Sequence, residues 1–210
     1  MKKFLSLFSV VALLLSVCAC FPKPTEPDDP VGDLSAGEVA NDVYTNDQLG
    51  VSFTLPDGWY FYEKEELAEL SGLVGDVAKG ELAEQMKSAS VVYDMYASNA
   101  DKSSSANVIV EKISQKQSAS FDAKQALEAQ FSTIKTSFSG MGFADTAIRY
   151  ASVTVGGKTF DGARLTATLQ GVPFYETIIM IRRGNYVINI TLADYRNDNS
   201  AATLQNLTID

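Results

Sequence analysis

Four consecutive segments in the second half of the chain alternate apolar and polar residues, and this alternation restricts the possible fold more than any other feature. A period of two residues is typical of β-strands that pack one face on a core. The short connections Gly156-Gly157 and Arg183-Gly184-Asn185 are typical of tight hairpin turns. The sequence therefore predicts an antiparallel meander with strands over residues 147–155, 159–169, 174–181 and 186–192.

The first half of the domain shows strand patterns in shorter segments. Pro56-Asp57-Gly58 has the turn chemistry that ends a first hairpin. A polar run at 101–105 separates two longer segments rich in β-branched and aromatic residues. Further strands are predicted over residues 42–45, 50–55, 91–97 and 107–113.

The strongest helical pattern lies between these strands and the meander. Asp122 is placed to cap the first backbone amides, and Gln125 can return the bond as in a capping box. Gly140 supplies a stop signal. Four apolar residues form one stripe at helical spacing, namely Leu127, Phe131, Ile134 and Phe138.

Weaker helical patterns occupy three other places in the chain. They are residues 63–72, residues 81–87, and a short helix from Ser200 in which Leu204 and Leu207 face inward. Strands and helices are segregated along the chain rather than alternating. The predicted class is therefore α+β, with an antiparallel β-sheet meander and helices packed on it.

Residues 1–19 have the organisation of a bacterial lipoprotein signal peptide. Lys2 and Lys3 give a positive start, and the apolar stretch at 4–17 follows them. That stretch has the length of a signal-peptide core and is shorter than the roughly 20 apolar residues of a membrane-spanning helix. We therefore expect export from the cytoplasm.

The end of this segment predicts a lipid anchor on Cys20. Val17, Cys18 and Ala19 precede Cys20 in the order of a lipobox, with an aliphatic residue first and a small residue directly before the cysteine. Cys18 is the alternative, but a branched valine precedes it. An ordinary cleaved signal peptide or an uncleaved signal anchor is a further alternative. The lipobox favours a lipoprotein held at the cell membrane and facing outside the cytoplasm.

Residues 20–38 are predicted to be a lipidated cysteine followed by a proline-rich acidic linker. Four of the six prolines of the chain fall here among Thr, Glu and Asp residues. Such a composition cannot bury a core and favours extended conformations of about 3.1 Å per residue. One folded domain is then predicted over residues 39–210.

Charge and composition exclude several classes of function. Removal of residues 1–19 takes Lys2 and Lys3 away and changes the net charge from −9 to about −11. Such a surface repels nucleic acid, so no nucleic-acid partner is expected. The chain contains no histidine, which excludes Ser-His-Asp and Cys-His catalysis as well as His-ligated metals. We therefore expect no cofactor, no metal and no enzymatic activity.

The motif Gly50-x-x-Phe53-x-x-Pro56-x-Gly58-Trp59, together with the later segment VVYDMYASNADKSSSANVIVEKI, resembles the PsbP-like fold. More narrowly, the chain is similar to exported lipoproteins of Gram-positive bacteria that carry a small PsbP-like domain. The similarity covers most of residues 44–207. Other proteins with this fold include a photosystem accessory protein and a nuclear-import factor. The resemblance implies a partner-binding scaffold and carries no catalytic residues over to this chain.

Two groups of residues form the candidate binding surface. Trp59, Tyr60 and Tyr62 combine aromatic area with polar atoms, which is typical of interfaces, although packing in the sheet explains them equally. Arg182 and Arg183 are the adjacent basic pair of the domain and can bind carboxylate or phosphate, although edge protection of the sheet is an alternative.

Two clusters of acidic and amide residues are predicted to have structural roles. Oxygen-bearing side chains before the last helix are suited to calcium, but the usual loop pattern is missing, so turn and capping roles are favoured. Acidic residues at the start of the first helix are favoured there by the helix dipole. The residues concerned are Asp194, Asn197, Asp198 and Asn199 in the first group, and Glu63, Glu65 and Glu66 in the second.

The sequence supports three hypotheses of function. The first is a membrane-anchored, non-enzymatic module that binds an unknown small molecule or protein outside the cytoplasm. The second is an accessory or assembly factor of a membrane complex. The third is an envelope hydrolase that uses carboxylates, which requires two acidic side chains to converge in one cleft.

The lipid anchor is tested by mass spectrometry of the protein extracted from membranes. We expect a diacylglyceryl group on Cys20, and we expect Cys20→Ala to lack the lipid. Cys18→Ala is the matched control and should be modified as the wild type is. An unmodified Cys20 in the membrane-extracted protein would contradict the prediction.

Overall fold

A computed structural model of the chain describes residues 34–70 and 91–210. The predicted signal peptide, Cys20, most of the linker and the helical pattern at 81–87 lie outside the described residues, so these stay predictions.

The described part of the predicted linker contacts the domain. Leu34 packs against the core, and the backbone N–H of Ser35 donates a hydrogen bond to Oε1 of Gln48 over 2.9 Å. The chain is therefore in contact with the domain a few residues before the first strand.

The described strands form two antiparallel sheets. The smaller sheet contains, in order across the sheet, β1 (Glu38–Ala40), β2 (Val43–Asn46), β3 (Val51–Thr54) and β11 (Leu207–Ile209). The larger sheet contains, in order, β4 (Trp59–Phe61), β5 (Val91–Asn99), β6 (Ser104–Lys112), β10 (Tyr186–Tyr195), β9 (Val172–Arg183), β8 (Lys158–Leu169) and β7 (Phe143–Val155).

Four α-helices lie among the described residues. They are α1 (Lys64–Leu70), α2 (Gln115–Ala119), α3 (Ala123–Gly140) and α4 (Ser200–Thr203). Asp122 caps α3 as predicted, because its side chain accepts a hydrogen bond from the backbone N–H of Gln125 over 2.8 Å. A 3-10 turn, Leu204–Asn206, connects α4 to β11.

Apolar residues cover both faces of the larger sheet. On one face, Ile188 and Ile190 of β10 share a core with Phe53 of the smaller sheet. On the other face, Ile178 of β9 shares a core with Phe138 of α3. The alternation along each strand produces this arrangement, because successive side chains point to opposite faces. The larger sheet is therefore the central layer of the domain.

A buried carboxylate joins the two sheets. A β-bulge between Tyr93 and Met95 of β5 accommodates Asp94, whose side chain faces the smaller sheet. Its oxygens accept hydrogen bonds from the hydroxyl of Tyr44 (2.5 Å), Nδ2 of Asn46 (2.8 Å) and the backbone N–H of Gly37 (2.9 Å). Burial and the charge of Asp94 raise the pKa of Tyr44, so the phenol stays protonated and keeps donating. These bonds compensate the cost of burying a carboxylate.

The α+β class and the antiparallel meander are confirmed, since β7, β8, β9 and β10 follow one another as hydrogen-bonded neighbours. The first hairpin and the start of the last helix also lie where the sequence predicts them. The structure adds a second sheet and the elements β1, β4, β11 and α2, which the sequence patterns did not predict. Leu207, predicted in the last helix, is buried in β11 and pairs with Phe53 of β3. Among the described residues, no helix combines the length and the apolar character needed to cross a bilayer.

Close packing between β8 and β9 requires glycine at position 162. A Cβ atom on Gly162 would lie 2.3 Å from the backbone oxygen of Ile178 and 2.8 Å from Cγ2 of Val153. Because a backbone atom cannot move aside without disturbing the sheet, Gly162→Ala should lower the free energy of unfolding by about 1–3 kcal/mol. Urea denaturation followed by circular dichroism measures this change.

Gly140→Ala is the matched control for Gly162→Ala. Gly140 ends α3, and a Cβ atom there would have no neighbour within 4 Å. We expect the control to be neutral or stabilising by up to about 1 kcal/mol. Equal destabilisation by the two changes would contradict the packing described for Gly162.

Candidate functional site

A cleft of about 470 Å³ lies over β7, β8 and β9, beside the segment that leads into α4. Small-molecule sites typically have volumes of about 300–1,000 Å³. The polar residues that line this β7–β9 cleft include Arg149, Arg164, Thr166, Tyr175, Asp198 and Ser200. The cleft therefore has the size of a ligand site, with polar side chains set in a wall that also contains apolar residues.

Hairpin register places two arginines opposite each other in the β7–β9 cleft. Gly156 and Gly157 form the turn between β7 and β8, both at positive φ, and Val155 pairs with Lys158. Arg149 lies seven residues before Gly156, and Arg164 lies seven residues after Gly157, so the two are direct cross-strand partners. Cβ atoms of such partners are about 4.5–5.5 Å apart.

The two arginines differ in their surroundings. Arg164 is half-buried, and its Nη1 donates to Oγ1 of Thr177 and to Oγ of Ser200, the latter over 2.6 Å. Arg149 is exposed, and its side chain makes no hydrogen bond or ion pair within the described part of the chain. One guanidinium is therefore held in place and the other is free to contact a ligand.

The segment 194–200, from which Asp198 and Ser200 line the cleft, is fixed by local hydrogen bonds. Oδ1 of Asp198 accepts from the backbone N–H of Ser200 (3.1 Å) and from its hydroxyl (2.5 Å). Buried Asp194 accepts from the hydroxyl of Ser104 (2.6 Å) and from the backbone N–H of Asn199 (3.1 Å). These residues therefore have the turn-forming contacts that the sequence favours for them. In residues 34–70 and 91–210, no group of three or more acidic, Cys or His side chains is arranged to hold a metal.

A second cavity, on the opposite face of the larger sheet, is much smaller. Its volume is about 20 Å³, roughly the space of one water molecule. Tyr62, Tyr96 and Glu176 are among the residues that line it. Burial raises the pKa of Glu176 to about 8, so this carboxyl group is largely protonated at neutral pH. The cavity is too small for an organic ligand.

The predicted aromatic surface is divided between two faces of β4. Trp59 packs against the core beneath the smaller sheet, next to Phe53. Tyr60 is 38% exposed and stacks on Tyr62, with ring centroids 5.6 Å apart. Nζ of Lys102 lies 5.6 Å from the centroid of the Tyr62 ring. Of the three predicted aromatic residues, Tyr60 and Tyr62 therefore pack together, and Tyr60 is the more exposed of the two.

Arg182 and Arg183 lie apart from these aromatics, at the far end of β9. Nη1 of Arg182 donates to Oγ of Ser118 (3.0 Å) and to the backbone oxygen of Gly184 (3.2 Å). Arg183 donates to the backbone oxygen of Asp210. Their bonds connect the hairpin to α2 and to the last described residue. The structure does not bring the two predicted groups together into one surface.

Arg149 and Arg164 are the site residues that the motif analysis did not identify. Neither is adjacent to another basic residue, so no local motif marks them. The register of the Gly156-Gly157 hairpin is the signal that pairs them, because a two-residue turn fixes which residues face each other.

No protein-family model and no curated protein matches the chain. Two solved structures show a distant structural similarity. A protein of Bacteroides thetaiotaomicron, solved at 1.50 Å resolution, is 10% identical with a TM-score of 0.43, and the match covers 77% of this chain and 45% of that protein. This chain therefore spans less than half the length of that protein.

The second structure is LpqN, a protein of Mycobacterium tuberculosis involved in cell envelope biogenesis. It is 13% identical with a TM-score of 0.40, and the match covers 76% of this chain and 82% of LpqN. Likenesses with TM-scores below 0.5 assign neither a family nor a function, so the PsbP-like resemblance stays a prediction.

The buried carboxyl group of Glu176 predicts a defined pH dependence of stability. Its folded-state pKa of about 8 lies above the ordinary value of 4.5. The folded state therefore keeps a proton that the unfolded chain releases, and stability from this group falls between about pH 4.5 and pH 8. The expected slope is about 1.4 kcal/mol per pH unit.

Glu176→Gln removes this titration, so the variant should lose less stability than the wild type between pH 5 and pH 8 in urea denaturation. Glu128→Gln, an exposed position on α3, is the matched control and should follow the wild type. Parallel pH profiles for wild type and Glu176→Gln would show that Glu176 is not buried in the protonated form.

Proposed function

We propose that this protein is a non-enzymatic ligand-binding lipoprotein, anchored to the cell membrane through Cys20 and facing outside the cytoplasm. The proposed site is the β7–β9 cleft, and the proposed ligand is a small organic molecule. The observation that carries this proposal is the cleft itself, whose volume of about 470 Å³ lies within the range of small-molecule sites.

The construction of the cleft favours binding by a preformed site. Its floor consists of three neighbouring strands of the larger sheet, and Arg164 is held by hydroxyl groups from β9 and α4. A site on paired strands keeps its geometry without a ligand, which lowers the entropic cost of binding. The proposal therefore requires no closing loop.

The distribution of acidic groups supports a role without catalysis. Asp198 and Glu176 both border the cleft, but alternation along β9 turns the Glu176 side chain to the opposite face, which it shares with Phe174. Asp198 already accepts two hydrogen bonds from Ser200. A carboxylate mechanism needs two acids that converge on one substrate, and these two side chains do not converge.

One observation favours the alternative of an accessory factor in a membrane complex. The stacked tyrosines Tyr60 and Tyr62 present an aromatic surface suited to a protein partner. A stable stoichiometric partner in detergent extracts of the membrane is expected for that function and not for ligand binding.

The proposed site is tested by blocking the cleft. Thr166 is exposed on its floor, so Thr166→Trp should place a large ring in the ligand volume. With a library of charged and neutral metabolites, we expect the wild type to bind at least one compound in calorimetry and Thr166→Trp to bind it at least about tenfold more weakly.

Thr154→Trp provides the matched control, because Thr154 is also exposed on β7 but does not line the cleft. This control should bind the compound as the wild type does. Binding that survives in Thr166→Trp would place the ligand elsewhere and contradict the proposed site.

A further inference from the structure

The pairing of Arg149 with Arg164 is electrostatically unfavourable as it stands. Two like charges directly opposite each other on neighbouring antiparallel strands repel and lower the stability of the sheet. An ordinary structural pattern places a carboxylate opposite an arginine. A bound anion would therefore offset the repulsion between the two guanidinium groups.

No carboxylate of the described residues neutralises the pair. Arg164 donates to the hydroxyl groups of Thr177 and Ser200, which are neutral acceptors. The guanidinium group of Arg149 has no hydrogen-bond or ion-pair partner among the described residues. Asp198 shares the cleft, but its carboxylate accepts hydrogen bonds from Ser200 rather than from a guanidinium group. Both positive charges thus remain available to a ligand.

The other polar groups of the cleft also suit an anion. The hydroxyl groups of Thr166 and Tyr175 can donate hydrogen bonds, whereas the hydroxyl of Ser200 already donates to Asp198. Arginine binds the oxygens of carboxylate and phosphate groups through two parallel N–H donors, and such charge-assisted bonds are about twice as strong as neutral ones. Donors therefore predominate around the two guanidinium groups.

We propose that the β7–β9 cleft binds its ligand through an oxyanion, a phosphate or carboxylate group held between the guanidinium groups of Arg149 and Arg164. This inference rests on the proposed function and adds the chemical class of the ligand. A cleft of about 470 Å³ has room for more than the oxyanion alone, so the ligand is an organic molecule that carries this group.

The test uses the full-length lipidated protein in mild detergent, with inorganic phosphate, citrate and uncharged glycerol as probes. Calorimetry measures affinity, and the fluorescence of Trp59, the single tryptophan, follows thermal unfolding. We expect phosphate or citrate, but not glycerol, to bind and to raise the Tm of the wild type. Arg149→Gln should weaken this binding at least about tenfold, since a charge-assisted contact is lost.

Arg149→Glu separates binding from folding. The new carboxylate would face Arg164 across the strands, so the variant should unfold at a higher temperature than the wild type without ligand while it fails to bind either anion. Lys135→Gln is the matched control, because this exposed lysine lies on α3, which packs on the opposite face of the larger sheet, and the change should leave anion binding unchanged.

Failure of this inference and failure of the proposed function give different results. A neutral compound whose binding is lost in Thr166→Trp but unchanged in Arg149→Gln would keep the cleft as the ligand site and overturn the oxyanion. Anion binding that is equal in wild type and Arg149→Gln would also overturn it. Absence of binding by either anion and by every compound of the library would overturn both.

Discussion

Both faces of the larger sheet carry apolar residues that must be buried. The arrangement of the smaller sheet and of the helices follows from this requirement. Strands lie about 4.8 Å apart, so seven strands span about 29 Å and four span about 14 Å. The smaller sheet therefore covers only part of one face. Asp94 fixes its position, because this buried carboxylate accepts hydrogen bonds from Tyr44, Asn46 and Gly37. The cleft lies on the same face, over residues 147–149 of β7, whereas Val153 and Val155 of that strand are buried in the core shared with the smaller sheet.

The position of the cleft on paired strands determines its chemistry. Side chains on the floor cannot change faces without a slip of the register, which would also expose the core residues Val153 and Ile179. Arg149 and Arg164 are therefore held opposite each other by the same pairing that builds the core. The protein as a whole has a net charge of −9, so its overall field does not attract anions to this positively charged site. Recognition of an anion therefore depends on short-range contacts with the two arginines.

Periodicity was sufficient to predict the meander, because each of its strands alternates over many residues and the turns carry glycine. It was insufficient for β11, where the spacing of Leu204 and Leu207 fits a helix and pairing with the edge of β3 decides the outcome. Asp94 interrupts an apolar strand, and the sequence does not show where its carboxylate is accommodated. The β-bulge between Tyr93 and Met95 provides this place. The aromatic and basic residues of the predicted binding surface were chosen because they are neighbours in the sequence. The two arginines of the cleft are distant in sequence and become a pair only through hairpin register.

Ligand binding by this protein requires an open cleft whose two arginines are not neutralised by other residues of the chain. A crystal structure of the full-length protein, extracted from its membrane and crystallised without phosphate, sulfate or carboxylate buffers, measures this directly. We expect an open cleft with an oxyanion-bearing molecule between Arg149 and Arg164. A closed cleft, or guanidinium groups paired with carboxylates of the same chain, would contradict it.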